Sequence, residues 1–297
     1  MAKEYWLIII ANIMFGSIVS GGQFFINSGL SVYEFMLYSF IIETLLLLTI
    51  VFFKREYLIK RGFIGFFIIY GLIGALQSAS QYIPLFFGVS VAVVAFLIYT
   101  QFIWTTLIGR LFLKERLTKR KIWAIFFGLA GIFFLIDIFN ASWHGSIIGI
   151  SVALAGGLLL SLWIVWGRIS GLNKQHFVTT DLGYAGFTSV WLLLFWPVAN
   201  HFVKNEGLTR LSVNFPPKFW LFIFIFTLIT TIPHLLFYKG VQKVTAFASG
   251  IMTLLEPLSA ALLAAFFLSQ PLTANVALGG AFIIFSNYLA IGKDQYA

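Results

Sequence analysis

"VAVVAFLIYTQFIWTTLIGRLFLKERLT" (residues 91–118) and "AFASGIMTLLEPLSAALLAAFFLSQPLT" (residues 246–273) align without a gap when the chain is slid over itself by 155 positions, 91 onto 246. Each begins as an apolar run of about 20 residues, long enough to cross a hydrocarbon layer of about 30 Å as a helix. Each ends in a threonine, Thr118 or Thr273, placed to cap the next helix. The overlay sets Gln101 opposite Glu256, Phe102 opposite Pro257 and Glu115 opposite Gln270. These are the fourth and ninth apolar runs of the chain, so one repeat holds five. An odd number of crossings brings the second copy into the membrane from the opposite side, which makes the repeats inverted about an axis in the membrane plane.

Composition agrees with that solvent. Of 297 residues, 60% are hydrophobic and 10% charged, with a mean hydropathy of +0.98. Globular domains carry roughly a quarter charged residues, so this chain cannot bury its apolar surface within itself. The expected fold is an all-α integral membrane protein of ten transmembrane helices, near 4–26, 32–53, 62–84, 91–112, 121–138, 146–167, 180–202, 217–238, 245–268 and 274–292. Residues 1–143 form the first five-helix repeat and 144–297 the second. The first run is longer than a signal-peptide core and lacks a cleavage pattern, so it reads as a retained span.

With the N-terminus in the cytoplasm, all 19 lysines and arginines except Lys204, Arg210 and Lys218 fall on the cytoplasmic side. That asymmetry puts both termini in the cytoplasm and the chain in the cytoplasmic membrane. The net charge of +9 then faces anionic lipid headgroups, and no nucleic-acid partner is expected. The chain has no cysteine, which removes thiol chemistry and Cys-ligated metals. No metal-ligand pattern, cofactor motif, phosphate loop or catalytic constellation is present, so neither an enzyme nor an ATP-driven pump is expected. A channel would need polar groups ringing a continuous path, which is not evident.

Polar side chains deep in the spans outline the interior, because hydrocarbon penalises them unless they meet a partner or water. They are Asn12, Gln23, Glu43, Gln77, Gln81, Gln101, His234, Glu256 and Asn287. Glu256 is the sharpest. It suits a proton-coupling site or a counter-charge to a solute amine, against the alternative of a neutral group hydrogen-bonded to Gln101 or to a freed backbone carbonyl. Pro257 removes a helical donor, which leaves the carbonyl of Thr253 available and makes Pro257 a candidate hinge. Glu43 is a coupling candidate or a neutral carboxyl packed on a neighbouring helix, and His234 can carry protons or simply be hydrogen-bonded. The aromatics beside this polar set, Tyr82, Tyr99, Trp163, Trp166 and Tyr238, suit an organic cation or a flat solute, or else are packing. Trp6, Trp123 and Trp220 read as interfacial belt residues, and the glycine pairs Gly71/Gly74, Gly128/Gly131 and Gly145/Gly149 as sites of close helix approach.

The motifs "FGS" (15–17), "FLKERLT" (112–118), "SLWIVWGR" (161–168) and "LLEPLSAALLAAFFLSQPLT" (254–273), in that order over the whole chain, resemble the drug/metabolite transporter superfamily, EamA type. The chain departs from the family pattern at Phe15, where tryptophan is usual, at Phe102, where proline is usual, and at Gln270, where glutamate is frequent. Phe102 leaves span four without the breaker of span nine. The resemblance implies a central cavity lined by spans one, three, four, six, eight and nine, and a secondary transporter of small organic solutes, amino acids or related metabolites, most often exported. Uptake of an organic cation such as choline is the alternative. The candidate substrate-binding residues from the polar and aromatic set are Glu256, Gln101, Tyr99, Gln77, Gln81, Tyr82, Trp163, His234 and Tyr238, with Glu256 and Glu43 for coupling to protons and Pro257 as hinge. The partners are the solute and membrane lipid, without cofactor, and one internal two-fold is compatible with a monomer or a dimer.

Overall fold

The structure, a computed structural model, describes residues 3–138, 146–268 and 272–291. Side chains at 18–24, 26, 27, 86, 264, 267 and 268 fall outside that description. So do Gly145, Gln270 and the repeat boundary at 143/144, and with them the side chain of Gln23.

Among the described residues there are helices and turns and no strand. The order is α1 (Lys3–Asn27), α2 (Val32–Phe53), α3 (Ile64–Phe86), α4 (Val91–Tyr99), α5 (Gln101–Phe112), α6 (Lys119–Leu135), α7 (Ile147–Leu172), α8 (Phe177–Val203), α9 (Glu206–Thr209), α10 (Pro217–Val241), α11 (Ala246–Met252), α12 (Leu255–Leu268) and α13 (Ala274–Ala290). Seven stretches among the described residues are long and apolar enough to cross a membrane, and α13 is a shorter apolar helix. Their outward side chains are large and apolar, with Phe53, Leu111, Phe202 and Phe266 at 80%, 74%, 78% and 82% exposure. Such a surface is stable only against lipid.

Local chemistry sets the ends. Ser31 and Glu34 form a reciprocal capping box on α2. Thr118 and Thr273 accept from the Lys121 and Val276 N–H groups and start α6 and α13, as their matching positions predict. Glu34 is fully buried and takes donors from Ser31, Arg210 and Ser212, which ties the start of α2 to the segment after α9. The hydrogen bond to Glu34 holds the Arg210 guanidinium above its usual range.

Packing repeats with a two-fold pattern. α1 lies against α10 and α12, and α7 lies correspondingly against α3 and α5, while α6 pairs with α13. Small residues permit the closest approaches. Gly71 and Gly74 meet Phe187, Thr188 and Tyr184 of α8, and Gly128 and Gly131 meet Ser286 and Ile283 of α13. Of the three belt tryptophans, Trp6 and Trp123 are exposed, whereas Trp220 packs on Tyr38 at 5.0 Å between ring centroids.

The two halves do not pack identically. α5 packs on α11, but their two-fold counterparts α12 and α4 do not pack comparably. The Glu115 carboxylate strengthens the α5–α11 contact: it accepts the Ala246 and Phe247 N–H groups at 2.7 and 3.2 Å, at the positive end of α11.

Candidate functional site

Both long helices of the repeated segment are broken at equivalent positions, α4/α5 at Thr100 and α11/α12 at Thr253 and Leu254. Span four thus breaks without a proline. The Thr100 hydroxyl donates to the Leu97 carbonyl at 2.6 Å, and the backbone turns back in i to i+3 bonds on either side, Thr100 N–H to Leu97 O and Ile103 N–H to Thr100 O. In span nine the Thr253 carbonyl, expected to be free because of Pro257, is occupied. The Glu256 N–H reaches it at 3.1 Å in a tighter turn.

Gln101 begins α5 and is fully buried. Its side-chain amide donates to the Gly250 carbonyl at 2.7 Å and to the Thr253 hydroxyl, and its carbonyl accepts from Thr105 at 2.9 Å. It therefore binds the two halves together through α11 and does not meet Glu256.

Glu256 instead receives the Tyr99 hydroxyl, from the last residue of α4. The two groups are partly buried, where α4 and α12 diverge. Glu256 also faces His234 of α10 electrostatically. His234 Nδ1 lies 2.6 Å from the Glu43 carboxylate, and the His234 ring sits 5.1 Å from that of Phe15 and 6.5 Å from that of Tyr184. Polar residues from α2, α4, α10 and α12 thus converge beneath one aromatic wall.

That wall is built from fully packed rings. Trp163 stacks on Phe237 at 4.4 Å, and its indole N–H donates to the Tyr238 hydroxyl at 2.7 Å. The Tyr70 hydroxyl lies 2.8 Å from the Trp163 carbonyl and 3.1 Å from the Tyr238 hydroxyl. Trp163 and Tyr238 are buried, with their polar atoms engaged in this network. Phe15 contacts Trp163, His234 and Phe237.

Gln77, Gln81 and Tyr82 all lie on α3, and no described contact joins them to Glu256. Tyr82 packs with the aromatic cluster around Phe25 and Phe35. Asn12 and Asn287 each donate to the carbonyl four residues back in their own helix. Asp181 was not singled out by the sequence. It is fully buried on α8, and both its oxygens lack a hydrogen-bond partner. A recess of about 610 Å³ lies along α12, bordered among the described residues by the apolar side chains of Leu262, Leu263, Ala265, Phe266 and Leu272.

Residues 2–137 and 147–292 each match the model of the EamA-like transporter family. An uncharacterised transporter of Bacillus subtilis (strain 168), YojE, is 25% identical over 173 residues, which are 58% of this chain and 52% of that protein. The match thus spans about half the length of this curated relative. A protein of known crystal structure superimposes with a TM-score of 0.80 over 97% of this chain and 98% of its own, at 15% identity, a likeness of fold alone.

Proposed function

The chain belongs to the EamA-like transporter family, and from that premise we propose that it is a secondary transporter that exports amino acids or related amine-bearing metabolites by alternating access. It crosses the cytoplasmic membrane ten times as two inverted five-helix repeats, 1–143 and 144–297, with both termini in the cytoplasm. The charge asymmetry supports this orientation. In it, the packed pair α5 and α11 lies on the cytoplasmic side, while α4 and α12 stand apart on the other. The chain is thus in an outward-facing state, and the inward-facing state exchanges the two contacts.

One observation carries the reading. Glu256 and Tyr99 come from the two broken helices, meet at the same depth, and are partly buried at the side where those helices diverge. A carboxylate with a phenol beside it, near Phe15 and His234, recognises an ammonium group by charge, hydrogen bond and cation–π attraction. The same features favour a quaternary amine such as choline as the second reading. Gln101, Trp163 and Tyr238 hold the frame.

The test is uptake of radiolabelled threonine, phenylalanine and choline into proteoliposomes. Saturable flux is expected for at least one, reduced about 100-fold in Glu256→Gln and about 10-fold in Tyr99→Phe, as expected for loss of a buried charge pair and of one hydrogen bond to it. Wild-type flux in Glu256→Gln rejects the assignment.

A further inference from the structure

Asp181 poses a problem of charge. Its carboxyl is fully buried and neither oxygen has a donor. Glu43, Asp181 and His234 come from α2, α8 and α10, and their polar atoms all lie within 4.8 Å of one another. The two carboxylates are buried, and one imidazole beside them leaves a negative charge unmatched even when protonated. An uncompensated buried charge is strongly destabilising.

The neighbours do not supply the missing positive charge. Among the described residues, the titratable groups facing Asp181 are Glu43 from α2, His234 and Tyr238 from α10, Tyr70 from α3 and Tyr184 from its own helix. α7 presents Trp163, which does not titrate, against Tyr184. Glu256 of α12 faces the cluster through His234, with Tyr99 behind it. None of these is a fixed cation. The 2.6 Å between His234 Nδ1 and Glu43 Oε1 is a hydrogen bond. It is too short for two ligands of one tetrahedral metal ion, which stand about 3.3 Å apart at ordinary bond lengths.

We propose that Asp181, Glu43 and His234 form a proton-binding site that couples transport to the proton gradient. One proton is shared in the His234–Glu43 bond, and a second on Asp181 neutralises the remaining charge. The proposal rests on the transport reading, because the site communicates with the solute through the Glu256–His234 pair. An ammonium group bound at Glu256 sets a positive charge against His234, so the shared proton leaves the cluster for water as the solute enters. A proton arriving in turn favours release of the solute, which makes the exchange an antiport.

Two measurements test it. In infrared spectra of the full-length protein in lipid, titrated with acid and base, the wild type is expected to show the carbonyl stretch of a protonated carboxylic acid. Asp181→Asn should lose that band, and His234→Gln should shift the pH at which it titrates. If Asp181→Asn does not fold, Glu43→Gln must produce the loss or shift instead. In proteoliposomes, a pH gradient should drive accumulation of the threonine, phenylalanine or choline that the wild type carries, and Asp181→Asn should reduce this gradient-driven component at least 10-fold. A band unchanged in all the variants, or zinc binding that disappears in Asp181→Asn, overturns the proton site. Wild-type flux indifferent to the pH gradient overturns the coupling and leaves the transport reading standing. A titrating band in a protein that carries none of the three solutes rejects the transport reading instead.

Discussion

At the scale of single residues, the two polar groups that the internal overlay sets opposite each other have different work. Gln101 and Glu256 are equivalent under the two-fold, and equivalence is not contact: α5 packs on α11, so Gln101 reaches Gly250 and Thr253. Gln101→Leu should therefore destabilise the protein in detergent by about 2 kcal/mol, because the Gly250 carbonyl and the Thr253 hydroxyl lose a buried donor. Thermal unfolding with flux measured alongside checks this, and weaker solute affinity at unchanged stability would make Gln101 a ligand instead. Glu256 is legible in the sequence because an acid in an apolar run is too costly to stand there without a partner or water. Asp181 is not, because the span read as 180–202 placed it at the interface. His176 caps α8 and starts it earlier, and α2, α3 and α10 then cover Asp181. His176 itself gives a pH dependence. Burial holds it below the usual histidine value of 6.5, and its Nδ1 accepts the Val178 N–H. The unfolded chain then binds the proton more readily, so stability is whole above about pH 6.5 and falls as the pH drops below it. The midpoint of thermal unfolding should follow that course in the wild type and lose this component in His176→Asn, which keeps a capping side chain.

At the scale of elements, the two breaks match although one has a proline after it and the other does not. Apolar length, the capping threonines and the glycine contacts were readable from sequence, since each rests on local spacing. The interruption at Thr100 was not, because Phe102 replaces the expected proline and a hydroxyl turned onto Leu97 leaves no compositional signal. Span nine breaks at Thr253 and Leu254, where Pro257 removes the helical donor to the Thr253 carbonyl and the Glu256 N–H replaces it, yet span four breaks at the matching place with no proline. Pro257→Ala is accordingly expected to keep the break, to alter stability by no more than about 1 kcal/mol, and to retain flux within about three-fold. Loss of transport in a folded Pro257→Ala protein would restore the proline as the hinge.

At the scale of the whole molecule, the proposed alternating access uses two symmetric gates, and in that reading α5 on α11 is the closed one. α5 meets α11, with Glu115 of one repeat capping the helix of the other, while among the described residues α4 and α12 do not pack comparably beyond Tyr99 and Glu256. Sequence could supply the symmetry but not this departure from it, since a repeat carries no record of which half is shut. A β-carbon on Gly109 would lie 3.7 Å from that of Ala246, within the span of a disulfide, and the chain has no cysteine of its own to interfere. The most direct measurement is therefore flux through the Gly109→Cys/Ala246→Cys double variant in proteoliposomes, oxidised and then reduced. Alternating access predicts that oxidation lowers transport at least 10-fold and that reduction restores it, whereas an oxidised protein transporting at the rate of its reduced form would contradict the account.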